Sequence, residues 1–132
     1  MHKVSEIRLG EGCTTCLWFS EAVLETVAEF RKKGDPNGAF WKKLQRVAKA
    51  GFRLYQRGDS PVVVYEWDQV FRFGVKGSLF RIIGFFEDNT DRNFIAIDAW
   101  LKRGQKLNTA ERARIDEVAR VRSQRDWKKV IQ

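Results

Sequence analysis

The stretch Val70-Phe71-Arg72-Phe73, followed by Gly77-Ser78-Leu79-Phe80-Arg81-Ile82-Ile83-Gly84-Phe85-Phe86 and by Asn93-Phe94-Ile95-Ala96-Ile97-Asp98-Ala99-Trp100, decides the fold. Each run is short and rich in aromatic and β-branched residues, which reads as strand. Glu87-Asp88-Asn89-Thr90-Asp91 is the turn between the second and third runs. The first two runs each carry one arginine. A cation inside a strand is costly to bury without a partner. The third run leads directly into Leu101-Lys102-Arg103-Gly104-Gln105-Lys106-Leu107-Asn108. That order gathers cations on one face of a sheet, an arrangement suited to a phosphate.

Outward from this meander, Val4 to Leu9 alternates and reads as a first strand closed by Gly10-Glu11-Gly12. From Thr14 to Lys33, Leu17, Ala22, Leu24, Val27, Ala28 and Phe30 recur at helical steps, with Glu21, Glu25 and Glu29 in an i, i+4 stripe. Gly34-Asp35-Pro36-Asn37-Gly38 breaks the helix. A second helix is expected over Ala39–Ala50, apolar at Phe40, Leu44, Val47 and Ala48, and stopping at Gly51. Lys42, Lys43, Arg46, Lys49 and Arg53 lie on or beside its other side. Val62–Tyr65, after Pro61, reads as a short strand or extended loop. Asn108 with Glu111 is a capping box, predicting a last helix lined by Ile115, Val118, Ala119 and Arg122. The fold class is α+β, in a single domain over residues 1–132. The expected order is an N-terminal strand, a two-helix hairpin, a three-strand antiparallel meander and a C-terminal helix. The hairpin packs on one sheet face and the last helix covers an end, leaving the opposite face to Arg72 and Arg81.

Net charge is +8, and its placement says more than its size. Residues 31–57 carry nine Lys/Arg against one acid, and residues 102–129 carry ten against four. The rest of the chain is net acidic. Two separated basic segments attract polyanions through counterion release, so nucleic acid is a candidate partner. No apolar run reaches the roughly 20 residues needed to span a bilayer. The N-terminus lacks a signal-peptide core. A cytoplasmic protein without a membrane partner is expected.

Cys13-Thr14-Thr15-Cys16 has too few ligands for a structural zinc site, with His2 the only other soft ligand. Its thioredoxin-like context is missing. Two reduced cysteines at the start of a helix are expected.

Phe71-Arg72, Phe80-Arg81-Ile82-Ile83 with Phe85-Phe86, and Trp100-Leu101-Lys102-Arg103-Gly104-Gln105-Lys106 together resemble the RelE/ParE toxin superfamily, closest to its HigB-type and phage-derived branch. The resemblance covers most of the chain and is specific over residues 70 to 106. It implies a RelE-like domain and the toxin of a type II toxin–antitoxin pair. The activity implied is that of a ribosome-dependent endoribonuclease, an mRNA interferase needing no metal and no cofactor. In such cleavage the ribose 2′-oxygen attacks the adjacent phosphorus and the 5′-oxygen leaves. Arg81 matches the family's strand arginine and is the first candidate to brace the phosphorane, and Arg72 is the second. Lys102 and Arg103 match the basic pair that holds the scissile phosphate, with Lys106 beside them as an RNA contact. Lys42, Lys43, Arg46, Lys49 and Arg53 are RNA-binding candidates. The implied partners are mRNA, the ribosome and a small antitoxin with a helix-turn-helix part.

The chain departs from the family in three ways. Asn108 stands where proline is frequent, no histidine lies in the third strand or beyond, and no tyrosine follows Tyr65. Asp98 is read either as a base or, preferentially, as an ion-pair partner of Arg72 or Arg81. Trp100 reads as core before it reads as a base-stacking platform, and Trp127, among charged neighbours, as lying outside the core. Two alternatives stay open: a non-catalytic nucleic-acid-binding protein on the same fold, and a ParE-type inhibitor of DNA gyrase.

Overall fold

The computed structural model describes residues 1–34, 38–50, 63–74, 80–101 and 107–131. Within these the fold is α+β, as expected, but its sheet is larger than four strands. Seven strands form one mixed sheet: β1 (His2–Ile7), β2 (Cys16–Ser20), β3 (Val64–Tyr65), β4 (Phe71–Gly74), β5 (Phe80–Phe86), β6 (Asn93–Leu101) and β7 (Trp127–Val130), in the order β3-β4-β5-β6-β2-β1-β7. β3, β4, β5 and β6 are antiparallel neighbours. β6 continues parallel to β2, β2 antiparallel to β1, and β1 parallel to β7. The helices are α1 (Glu21–Gly34), α2 (Ala39–Ala50) and α3 (Thr109–Gln124).

Two cores sit on the two sheet faces. On one, Val23 and Val27 of α1 and Phe40, Leu44 and Val47 of α2 meet Leu17, Phe19, Phe71, Phe73, Phe80, Ile82 and Phe94. On the other, Ile115, Val118 and Val121 of α3 meet Val4, Trp18, Ile83, Phe85, Ile95 and Ile97. Each large side chain fully removed from water contributes about 1.5–3 kcal/mol. α3 therefore covers the face that the sequence reading left open, rather than an end of the sheet.

Three local expectations change. The segment expected to be helical from Thr14 begins instead with strand β2. Leu17, Trp18 and Phe19 are buried consecutively. A central strand covered on both faces shows a continuous apolar run rather than alternation, and that run overlaps helical spacing. The helix starts only at Glu21, where the Ser20 hydroxyl accepts from Val23 N at 3.3 Å. β7 was not expected. Arg125, at φ 51° and ψ 43°, ends α3 in the left-handed conformation and turns the chain back beside β1. Its lysines suit a short edge strand. Trp127 is consequently half-buried, 5.0 Å from the Phe85 ring, and not outside the core.

β6 holds a bulge: Ile83 pairs with Asp98 but Gly84 with Ala96, leaving Ile97 extra. A Cβ on Gly84 would stand 2.1 Å from the Ile95 carbonyl oxygen and 2.9 Å from Ala96 Cα. Backbone this close admits only glycine. Gly84→Ala is expected to cost about 1–3 kcal/mol or more through overpacking. Urea unfolding checks this, and an unchanged midpoint would mean that β6 shifts freely.

Candidate nucleic-acid-binding site

Arg72 and Arg81 share one sheet face. Arg72 pairs with Ile83 and Arg81 with Gly74, so the two guanidiniums are diagonal neighbours on the side of Ile83 and Phe85. Both are half-buried. Burial first, and then the charge of Arg72, pull the Arg81 pKa below the usual guanidinium value, while Glu111 and Glu66 oppose this. Arg81 Nη1 donates to Phe80 O at 3.0 Å. Arg72 Nε is ion-paired with Glu66 Oε1, a carboxylate in the loop after β3. Those side chains are 24% and 11% exposed, so removing either strands a largely buried charge, at roughly 3–5 kcal/mol. The Arg72 guanidinium has a structural task as well as any functional one.

Trp100 lies opposite Arg81 on β6, and its indole Nε1 donates to Glu111 Oε2 at 2.6 Å. Glu111 Oε1 accepts from Asn108 N at 3.0 Å, and Asn108 Oδ1 accepts from Glu111 N at 2.8 Å. This is the capping box the sequence predicts, with its carboxylate also satisfying a buried indole. Asp98 pairs with neither Arg72 nor Arg81. The bulge turns it toward α3, where Arg114 Nε and Nη2 donate to Oδ2 and Oδ1 at 2.8 and 2.6 Å. Hydrogen bonding to Asp98 is the main cause of the raised Arg114 pKa. Arg114 Cζ also stands 4.5 Å from the Trp100 ring centroid.

The α2 candidates lie elsewhere. Lys42, Arg46 and Lys49 are exposed along one stripe, and Lys43 is half-buried. α2 packs on the opposite sheet face from the arginine pair, so the two groups do not form one surface. Lys102, Arg103, Lys106 and Arg53 lie outside the described residues. Sequence reasoning missed Glu66, Arg114 and the second task of Glu111. Only Glu111 had a signal, its capping-box position.

The C-x-x-C pair does not open a helix. Cys13 lies in the loop before β2, and Cys16 is its first residue; both are free thiols. Burial and the Glu6 carboxylate raise the Cys16 pKa, which disfavours the nucleophilic thiolate. Among the described residues no group of three His, Cys, Asp or Glu side chains could hold a metal ion, and no helix is long and apolar enough to cross a membrane.

Comparison with protein-family models, curated proteins and solved structures gives no match to this chain.

Glu111→Ala removes the acceptor of both the Trp100 indole and Asn108 N. The expected loss is about 2–3 kcal/mol in urea unfolding, combining a lost cap with a buried unsatisfied donor. No loss would mean that water replaces the carboxylate. For Cys16, the raised pKa predicts alkylation by iodoacetamide at pH 8 slower than that of free glutathione, recovering as pH rises further. Equal rates, read by peptide mass spectrometry, would contradict the burial argument.

Proposed function

We propose that the chain is a toxin of the RelE/ParE type, cutting mRNA on the ribosome by attack of a ribose 2′-oxygen on the adjacent phosphate. The observation that carries this reading is the pairing of Arg72 and Arg81 on one sheet face, beside the end of β6 from which the basic run 102–106 continues in sequence. Two guanidiniums so placed suit a pentacovalent phosphate, whose extra charge needs donors fixed in advance. Arg81 makes the principal contact, since its fork donates two parallel bonds and its half-buried setting strengthens them. Arg72, held in place by Glu66, stands beside it as the second contact. Lys102 and Arg103 grip the scissile phosphate and Lys106 holds flanking RNA, while the α2 stripe, across the sheet from the arginines, meets RNA as a separate surface. Glu111 is engaged by Trp100 and Asn108, so it orients this layer rather than moving protons. Mechanistically the protein aligns the 2′-oxygen, phosphorus and 5′-oxygen in line and neutralises the phosphorane. A small antitoxin with a helix-turn-helix part silences it in the producing cell.

A second reading, an RNA-binding protein without catalysis, is favoured by the Arg72–Glu66 ion pair, which occupies a guanidinium that a phosphate would use.

Pulsed expression in a bacterium with mapping of mRNA 5′ ends tests both. The expected result is translation arrest with new 5′ ends. Arg81→Ala should lose about a hundredfold or more of cleavage, by analogy with removing one transition-state donor, and Arg81→Lys should recover only part. Ribosome affinity should stay within several-fold. Arg72→Ala is a poorer probe, because it also strands Glu66. Ribosome binding without cleavage selects the second reading. An unfolded Arg81→Ala protein makes the arginine structural, and unchanged cleavage removes it from the site.

A further inference from the structure

A cleft of about 520 Å³ opens where the two helical layers meet the end of β6. Thr26, Glu29 and Phe30 of α1 line one side, Ala99, Trp100 and Leu101 form the floor, and Arg114 of α3 closes the other side. The volume lies within the range of small-ligand sites, and a mainly apolar lining with a few polar groups, here Thr26, Glu29 and Arg114, is their usual composition. Two features of the wall point to a ligand. Leu101, a large aliphatic side chain at the end of a central strand, is 60% exposed. Arg114 is held rigid by its two bonds to Asp98, by Nη2 donating to Ala99 O at 3.3 Å and by its stack on Trp100, while its side chain remains 44% exposed. Like any guanidinium it is charged at physiological pH, and hydrogen bonding to Asp98 favours that form further. A guanidinium fixed in this way loses little entropy on meeting an anion.

A planar apolar body carrying an anion fits both features. We infer that this cleft is a nucleotide subsite, taking one base of single-stranded RNA against Leu101 and Phe30, with the adjoining phosphate on the exposed edge of Arg114. It rests on the RNA reading above and adds where a base beside the cut is held. Trp100 links the two places, opposite Arg81 on one side and under Arg114 on the other. A base here gains contact area in any sequence, so the subsite holds single strands with little preference among bases.

The test is binding of a short 2′-O-methyl RNA carrying 2-aminopurine, which cannot cut itself because its 2′-hydroxyls are blocked. Fluorescence titration of the whole chain is expected to show 2-aminopurine quenching. Leu101→Ser removes an exposed side chain, and Arg114→Lys keeps the charge but loses the fork and the stack. Each should weaken binding about tenfold or more, within what loss of one base contact costs. A nucleoside 5′-monophosphate should compete far better than inorganic phosphate. Parental affinity in both folded variants, or phosphate competing as well as the nucleotide, overturns the subsite. The two readings fail separately. RNA bound through Leu101 and Arg114 by a protein that cuts no mRNA leaves the subsite standing without the nuclease. Cleaved mRNA with normal binding in both variants removes the subsite alone.

Discussion

Ser20 Oγ donates to the Ile97 carbonyl at 2.7 Å inside the sheet, and the same oxygen accepts from Val23 N at the start of α1. That hydroxyl joins the two features on which the rest of the fold depends. One is the bulge in β6, whose extra residue leaves a backbone carbonyl outside the regular ladder. The other is the switch from strand β2 to helix α1. Buried backbone groups must find partners, and a serine at this junction serves both. Gly84 completes the arrangement by letting β5 approach β6 without a Cβ in the way.

The bulge has chemical consequences. By shifting the alternation at Ile97, it presents Asp98 to α3 and leaves Ala99 in the α1 and α2 core, with Trp100 again on the α3 side. Arg114 then has a carboxylate beneath it and an indole against its face. Together with Arg72–Glu66, Arg81 and Glu111, this makes a polar layer between sheet and helix in which cations and carboxylates are matched. A matched layer limits the cost of burying charge, and it keeps each guanidinium in a fixed orientation. Excess positive charge lies instead on the exposed stripe of α2, across the sheet.

Much of this was legible in the residues. The three strands around Arg72 and Arg81, α2 from Ala39 to Ala50 and the Asn108–Glu111 capping box follow from short-range patterns that water and backbone geometry impose locally. The shared face of the two arginines follows from period-two alternation within each strand. The sequence was silent where a long-range partner decides. Leu17-Trp18-Phe19 has the composition of helix or strand, and it is strand because β1 and β6 flank it. Trp127-Lys128-Lys129-Val130 looks solvated, and it is strand because Arg125 returns it to the edge of β1.

The sequence by itself determined an α+β chain, a paired set of strand arginines and a basic second helix, because hydrophobic periodicity and capping chemistry act over a few residues. Only the tertiary structure decided which charges meet. Asp98 joined Arg114, Glu66 joined Arg72, and the basic helix came to lie on the other side of the sheet from both arginines. Ion pairs between distant segments depend on strand order, on one bulge and on the face each helix covers, and none of these is written in local spacing.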